Sequence, residues 1–352
     1  MVVAAGTGAN FHQVDFYRSI LRPILFRLPA EAAHNLALAG LRLSPPGLLK
    51  KTFGPPPRDP FRLFGVVFQN RVGLAAGMDK NAVAPLAWEA LGFGFMELGT
   101  VTALPQPGNP KPRCFRYPAE SALINRMGFN NAGAAAVAAR LEKAWTSGKW
   151  PRVPVGINIG KSKATPNEQA ASDYATSFKL LRRFGDYFTI NVSSPNTPGL
   201  RSLQESDPLR RIVHSLRAVD PDKPLLVKIS PDMDEAELAQ IATAAAEEGA
   251  AGFIATNTTL DRKNFSGSGN SGGLSGTPLR EKSTRVIRSL RRMTGLPIIA
   301  SGGIMDAESA REKIEAGASL VQIYTGFVYS GPALVRDIVE GLRQFRTENK
   351  AD

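Results

Sequence analysis

The decapeptide NVSSPNTPGL (191–200) places two serines, two asparagines and two prolines directly after a strand-like run, Tyr187-Phe188-Thr189-Ile190. A turn needs only one or two such residues. Asparagine offers both a donor and an acceptor, which suits a ligand rich in amide groups. A serine can act as nucleophile or base. As a base it is weak, so it needs a shielded site and a path for the proton. The three histidines, His12, His34 and His214, lie away from every strand end. By elimination Ser193 and Ser194 become the candidate bases, and strand alternation turns Ser193 away from the face that Ser194 presents.

Two lysines call for an anion. Lys228 interrupts the apolar strand LLVKIS, where burial without a partner would be costly. Lys80 follows a strand in GMDK, and its plainest reading is a salt contact with Asp79. Asn125, Asn130, Asn131, Asn158, Asn191, Asn196 and Asn257 fall at or near strand ends or in the long segment 102–129. Any one of them suits a turn; together they suit a polar heterocycle held from several sides. Glycines recur in GGLSG (272–276), SGG (301–303) and TG (325–326), where backbone N–H groups can approach a phosphate.

These groups must be positioned by a scaffold. Eight short apolar runs end at them: 72–76, 95–100, 155–159, 188–193, 225–229, 252–256, 297–301 and 320–324. Helical patterns alternate with them, for example 234–248, which Asp232 or Asp234 could cap, and 307–315. Eight strands alternating with helices predict an α/β fold, a (β/α)8 TIM barrel, with the site at the C-terminal strand ends. A doubly wound sheet competes, but no G-x-G-x-x-G follows a first strand. Nor does a lattice of His, Asp and Glu recur at the strand ends, so no metal is expected.

Residues 11–53 differ in character. They read as a pair of short apolar helices, the second ending before Pro45-Pro46-Gly47, followed by a stiff linker over 54–64. Residues 1–10 read as a flexible N-terminus without a secretory signal, and the barrel is expected over 65–345. Seven Lys/Arg stand against two Asp/Glu in residues 1–58. The helices either pack on the barrel or lie on an anionic lipid surface. No run of about eighteen apolar residues predicts a membrane span. The 352-residue chain carries a net charge of +12, compatible with a polyanionic partner or simply with a soluble surface. A single cysteine, Cys114, excludes an internal disulfide.

Several long strings resemble the dihydroorotate dehydrogenases of class 2, the quinone-linked, membrane-associated form. They are AAGMDKN (75–81), GTVTALPQPGNPKPRCFR (99–116), INRMGFNN (124–131), GINIGK (156–161), NVSSPNTPGLR (191–201), LVKISPD (226–232), IATNTT (254–259), GGLSG (272–276) and GASLVQIYTG (317–326). The resemblance implies one FMN and the oxidation of (S)-dihydroorotate to orotate in pyrimidine synthesis, with a membrane quinone as electron acceptor. It implies FMN contacts at Ala75, Ala76, Gly77, Met78, Asp79, Thr100, Asn158, Asn191, Lys228, Thr256, Gly276, Gly303, Tyr324 and Thr325. Orotate would be held by Lys80, Asn125, Arg126, Met127, Gly128, Phe129, Asn191, Asn196, Asn257 and Thr258. Ser194 matches the family's base, with Thr197 and Phe129 at positions linked to proton exit. His34, Arg116 and Tyr324 match positions along the quinone path, and the N-terminal helices match the quinone module. Class 1 enzymes use a cysteine base, whereas Cys114 lies in PRCFR, away from the serine loop, and reads as an ordinary small side chain. The resemblance further implies a monomer attached peripherally to the cytoplasmic face of a bacterial inner membrane, since no transit peptide or spanning helix precedes the pair.

Two other classes compete. An FMN barrel reducing uridine in transfer RNA would suit the basic charge, but it needs a cysteine acid near the substrate and an RNA-binding extension, and no nucleic-acid partner is expected. A binding protein on a degenerate barrel would carry a damaged loop, and NVSSPN is intact.

Overall fold

The computed structural model describes residues 15–263, 265–267 and 269–348. The expected flexible N-terminus over 1–10, His12 and the start of the first helix lie outside them. Thirteen strands are present among the described residues: β1 Phe61–Leu63, β2 Val66–Phe68, β3 Val72–Leu74, β4 Phe95–Val101, β5 Cys114–Tyr117, β6 Ala122–Asn125, β7 Val155–Ile159, β8 Tyr187–Asn191, β9 Leu225–Ile229, β10 Gly252–Ala255, β11 Gly273–Gly276, β12 Ile298–Ser301 and β13 Leu320–Ile323. Eight of these, β3, β4, β7, β8, β9, β10, β12 and β13, close into a parallel barrel in chain order. They are the eight runs expected from the sequence. Their residues are buried on both faces, as a barrel wrapped by helices requires. Helix Glu235–Glu247 opens with a capping box: the Asp234 carboxylate accepts from Glu237 N at 2.8 Å, and the Glu237 carboxylate accepts from Asp234 N at 2.9 Å. Asp232, the other candidate cap, instead receives Arg201 at 3.0 Å and Lys282 at 2.7 Å.

The stretch expected as a linker ends in structure. β1 and β2 form an antiparallel hairpin whose two turn residues, Phe64 and Gly65, both have positive φ (52° and 75°). That matches the mirror-image turn whose twist suits a hairpin. Phe61, Leu63, Phe64 and Val66 pack on a cluster that includes Phe68, Phe95, Tyr187, Ile254, Ile299 and Leu320 at the N-terminal strand ends. The hairpin therefore stoppers the barrel on the side away from the site. At the other end β5, β6 and β11 form a three-stranded antiparallel sheet, with Cys114 and Gly273 each opposite Asn125.

The N-terminal segment holds three helices where a pair was expected. A π turn (Tyr17–Leu21) runs into α1 (Arg22–Phe26), followed by α2 (Ala30–Leu43) and α3 (Pro46–Phe53). Pro46 opens α3 because the first helical position has no use for a backbone N–H. The segment is fastened to the barrel by polar contacts. Tyr17 Oη donates to Val328 O at 2.6 Å and Arg22 Nη1 to Tyr329 O at 3.0 Å. Arg113 grips the Glu31 carboxylate through Nε and Nη2, the closest contact being 2.7 Å. This hydrogen-bonded guanidinium is the main reason the Glu31 carboxyl sits below its usual value. Arg116 donates to the carbonyls of Leu25 (3.0 Å), Phe26 and Leu28 and stacks over the Phe26 ring. On the outer side Phe16, Ile20, Ile24, Leu36, Leu48 and Leu43 (81% exposed) stand in solvent. Among the described residues no helix is long and apolar enough to cross a membrane.

Candidate active site

One cavity opens at the C-terminal strand ends, beneath the three-stranded sheet and beside α2. Seven barrel strands or the turns after them line it: Ala75, Ala76, Gly77 and Lys80 after β3; Thr100 on β4; Asn191, Ser194 and Asn196 at the end of β8; Lys228 on β9; Thr256, Asn257 and Thr258 after β10; Gly303 after β12; Tyr324 and Thr325 after β13. Asn125, Met127, Gly128, Phe129 and Gly276 come from the overlying sheet and its loops, and His34 from α2. The sequence-predicted residues thus gather in one place, though separated by up to about 290 positions from His34 to Thr325.

Five expected contacts fall outside the lining. Met78 and Asp79 turn into the core. The Asp79 carboxylate, fully buried, accepts from Val83 N and Ala84 N at 2.9 Å and from Trp88 Nε1 at 3.1 Å. It makes no salt contact with Lys80, whose Nζ donates instead to Gly77 O at 2.8 Å. Asn158 lies one layer below the cavity, hydrogen-bonded to Glu97, Thr100 and Asn191. Arg126 points outward to Ser271 Oγ and Pro112 O. Arg116 is spent on the α1 carbonyls. Conversely, Glu31 and Gln322 line the cavity without having been singled out, Ser275, Ser301 and Gly302 line it as members of the expected glycine turns, and Cys114 lines it although read as an ordinary side chain. Cys114, distant from the serine loop in sequence, reaches the cavity because β5 pairs with β6 at Asn125. Burial pushes its thiol above the usual range, so it is a poor thiolate donor.

The two serines separate as strand alternation requires. Ser194 lines the cavity at 5% exposure, and its Oγ accepts from Asn196 N at 3.3 Å. Ser193 is fully buried off the cavity, its Oγ held by Asn257 Nδ2 at 3.0 Å. Arg201 braces the loop by donating to Ser193 O and Thr258 O, both at 3.3 Å, while paired to Asp232.

Charge in the cavity is cationic. Lys228 is 5% exposed and makes no hydrogen bond or ion pair among the described residues. Burial lowers its value, opposed by the Glu97 charge. Burial likewise brings Lys80 down to about 8, opposed chiefly by Cys114 and Glu31. His34 is pulled down to about 3 by burial and then by Lys80, so its imidazole is neutral at pH 7.

These residues fit a planar, phosphate-bearing flavin. Lys228 is an ammonium lacking a partner, in contact with the cavity. Gly303 lies at φ 71°, and a Cβ there would collide with the Arg280 backbone, so the glycine backbone alone approaches. The Ser275 and Thr325 hydroxyls, both on the cavity lining, meet at 2.9 Å. Small residues, Ala75, Ala76 and Gly77, leave one wall flat.

A family model described as Dihydroorotate dehydrogenase matches residues 61–345. A dihydroorotate dehydrogenase (quinone) of Gloeobacter violaceus is 51% identical over 338 residues, covering 94% of each chain. One from Marinobacter nauticus is 50% identical, covering 92% of this chain and 98% of its own. The crystal structure of a DHODH from Eimeria tenella in complex with ferulenol superposes with a TM-score of 0.81 at 38% identity, covering 91% of this chain and 92% of that one. With the family model spanning the whole barrel and quinone-linked relatives matching nearly end to end, this chain belongs to the dihydroorotate dehydrogenase family, on its quinone-linked branch.

Proposed function

We propose that the chain oxidises (S)-dihydroorotate to orotate, with FMN as its flavin and a membrane quinone as acceptor. The carrying observation is the continuity of one cavity, from Lys228 past Ser194 and the asparagines to His34 on α2. Bound FMN would supply a two-electron acceptor for the hydride leaving C6, with the quinone as the final oxidant. Ser194 takes the proton from C5, so that loss of H⁺ and hydride leaves the C5=C6 double bond of orotate. Asn125, Asn196, Asn257 and Thr258 hold the planar ring, and Lys80 meets its carboxylate. Lys228 and the Gly276 and Gly303 turns hold the flavin's polar and phosphate ends, while the buried position of Phe129 and Thr197 shields the serine. His34 and Tyr324 line the acceptor's end of the cavity. Arg116 serves that end by fixing α1.

The exposed apolar side chains of the N-terminal helices support peripheral attachment to an anionic lipid surface, read here as the cytoplasmic face of a bacterial inner membrane. We assign that attachment to residues 11–53 and the FMN site to the barrel over 65–345.

Mixing the purified chain with dihydroorotate and a short-chain quinone tests the reading. Orotate should accumulate in step with quinone reduction; a flavin-loaded chain that forms no orotate would overturn it. The Lys80 value of about 8 adds a pH dependence. The cation that meets the carboxylate is present below that pH and is lost above it. The orotate dissociation constant should be flat below about pH 8 and rise toward tenfold per unit above it. A flat titration to about pH 9.5 would remove Lys80 from that role.

A further inference from the structure

Glu97 lies on β4 at the centre of the barrel, with no exposed surface. It does not line the cavity, and no role falls to it in the chemistry above. Its two carboxylate oxygens each accept one amide: Asn158 Nδ2 on Oε1 and Gln322 Nε2 on Oε2, both at 2.7 Å. A carboxylate can only accept, so it dictates which end of each amide faces it.

The consequence propagates. With its N–H2 toward Glu97, Asn158 must present Oδ1 to the site, where it accepts from Thr100 Oγ1 at 2.6 Å and Asn191 Nδ2 at 3.0 Å. Asn191 Nδ2 also donates to Thr100 Oγ1 at 3.0 Å, so both its hydrogens are committed. Asn191 Oδ1 then accepts from Asn257 Nδ2 at 3.3 Å and Ser193 Oγ at 3.4 Å. Asn257 spends its second hydrogen on Ser193 Oγ at 3.0 Å, and its own Oδ1 accepts from Thr258 N at 2.8 Å. Asn191 and Asn257 line the cavity, yet neither has an N–H left for a ligand. What the pair has left to offer is carbonyl oxygen, above all Asn257 Oδ1, which accepts a single bond and suits a ring N–H donor of a cyclic amide.

We infer that Glu97 is a positioning residue. Its buried carboxylate sets the donor–acceptor direction of the chain Asn158–Asn191–Asn257 and so makes the substrate face of that chain an acceptor face. The inference rests on the proposed dihydroorotate chemistry. A carboxylate touching neither flavin nor substrate thereby selects for ligands that carry ring N–H groups. Without it each amide is free to turn over, and an N–H2 can oppose a ligand N–H.

The test compares orotate binding to the oxidised, flavin-loaded proteins, read from the orotate-induced change in flavin absorbance. Glu97→Leu removes the acceptor while keeping bulk. Its orotate dissociation constant should rise about tenfold or more with flavin still bound. The double variant E97Q/N158D moves the carboxylate one link along. The new amide on β4 can then accept from Gln322 and donate to the new carboxylate on β7, and that carboxylate can only accept from Thr100 and Asn191. The original direction is restored beyond it, and orotate should bind within about threefold of the parent. Parent-like binding by E97L overturns the inference. So does a double variant as weak as E97L, because a purely structural loss would not be repaired by exchanging the two groups. Should E97L fail to hold flavin, the double variant decides alone: parent-like affinity supports the inference and a loss of about tenfold ends it. A parent protein whose flavin does not respond to orotate would instead overturn the functional reading itself.

Discussion

Replacing Ser194 by Ala should lower the rate of flavin reduction by dihydroorotate by about 10²- to 10⁴-fold, the range that a positioned base contributes. Flavin content and orotate affinity should stay within a few fold of the parent. The reason is geometric. Ser194 Oγ takes part in a single modest contact, from Asn196 N at 3.3 Å, so its loss unravels little. The loop is held from behind by Arg201 on Ser193 O and Thr258 O. Anaerobic stopped-flow bleaching of the flavin band measures the rate, and orotate titration measures the site. Bleaching at the parent rate would remove Ser194 as base. A Ser193→Ala variant provides the contrast, since that hydroxyl faces the asparagine chain and not the cavity.

Deleting residues 1–53 should abolish turnover with a membrane-soluble quinone, by at least about 100-fold, because no walls remain to hold the acceptor near the flavin. Reduction of the flavin by dihydroorotate should survive within a few fold. The barrel keeps its strands, its hairpin stopper and every cavity residue except Glu31 and His34. Arg113, stripped of Glu31, still donates to Pro107 O at 2.6 Å and Asn109 O at 2.8 Å, so its charge is not stranded. Single-turnover bleaching with dihydroorotate, followed by reoxidation with quinone, separates the two half-reactions. Unimpaired reoxidation in the truncated protein would show that the acceptor reaches the flavin by another route.

The barrel is legible in the sequence because each of its strands is a short Val/Ile/Leu run ended by Gly, Asn, Ser or Thr, a pattern that parallel burial on both faces enforces. The overlying sheet is not. β5 has no alternation, its residues all being half-buried, and β11, which pairs with β6 on the other edge of the sheet, lies about 150 residues further along the chain. The β1–β2 hairpin is hidden by Phe64, which takes the left-handed position usually given to Asn or Asp. α3 is hidden by Pro46, which reads as a stop where it serves as a start. In the site, the residues are legible but the layers are not. Asp79 and Asn158 sit in the same strings as true cavity residues, and only the fold shows that they face the core. Cys114 is misread for the converse reason, since strand pairing brings distant positions together. Glu97 carries no signal, being a single acid in an apolar strand whose importance depends on what its oxygens meet.

Arg116 fastens α1 chiefly through the carbonyls of Leu25, Phe26 and Leu28, Phe26 being the one residue there whose side chain it also meets. A carbonyl is common to all twenty residue types. Substitutions along the outward face of that helix therefore leave the clasp intact. The exposed apolar surface of the N-terminal helices is free to change, while the catalytic barrel under it stays under separate constraint. One guanidinium bound to backbone thus divides the chain into a part that adapts and a part that is held by its chemistry.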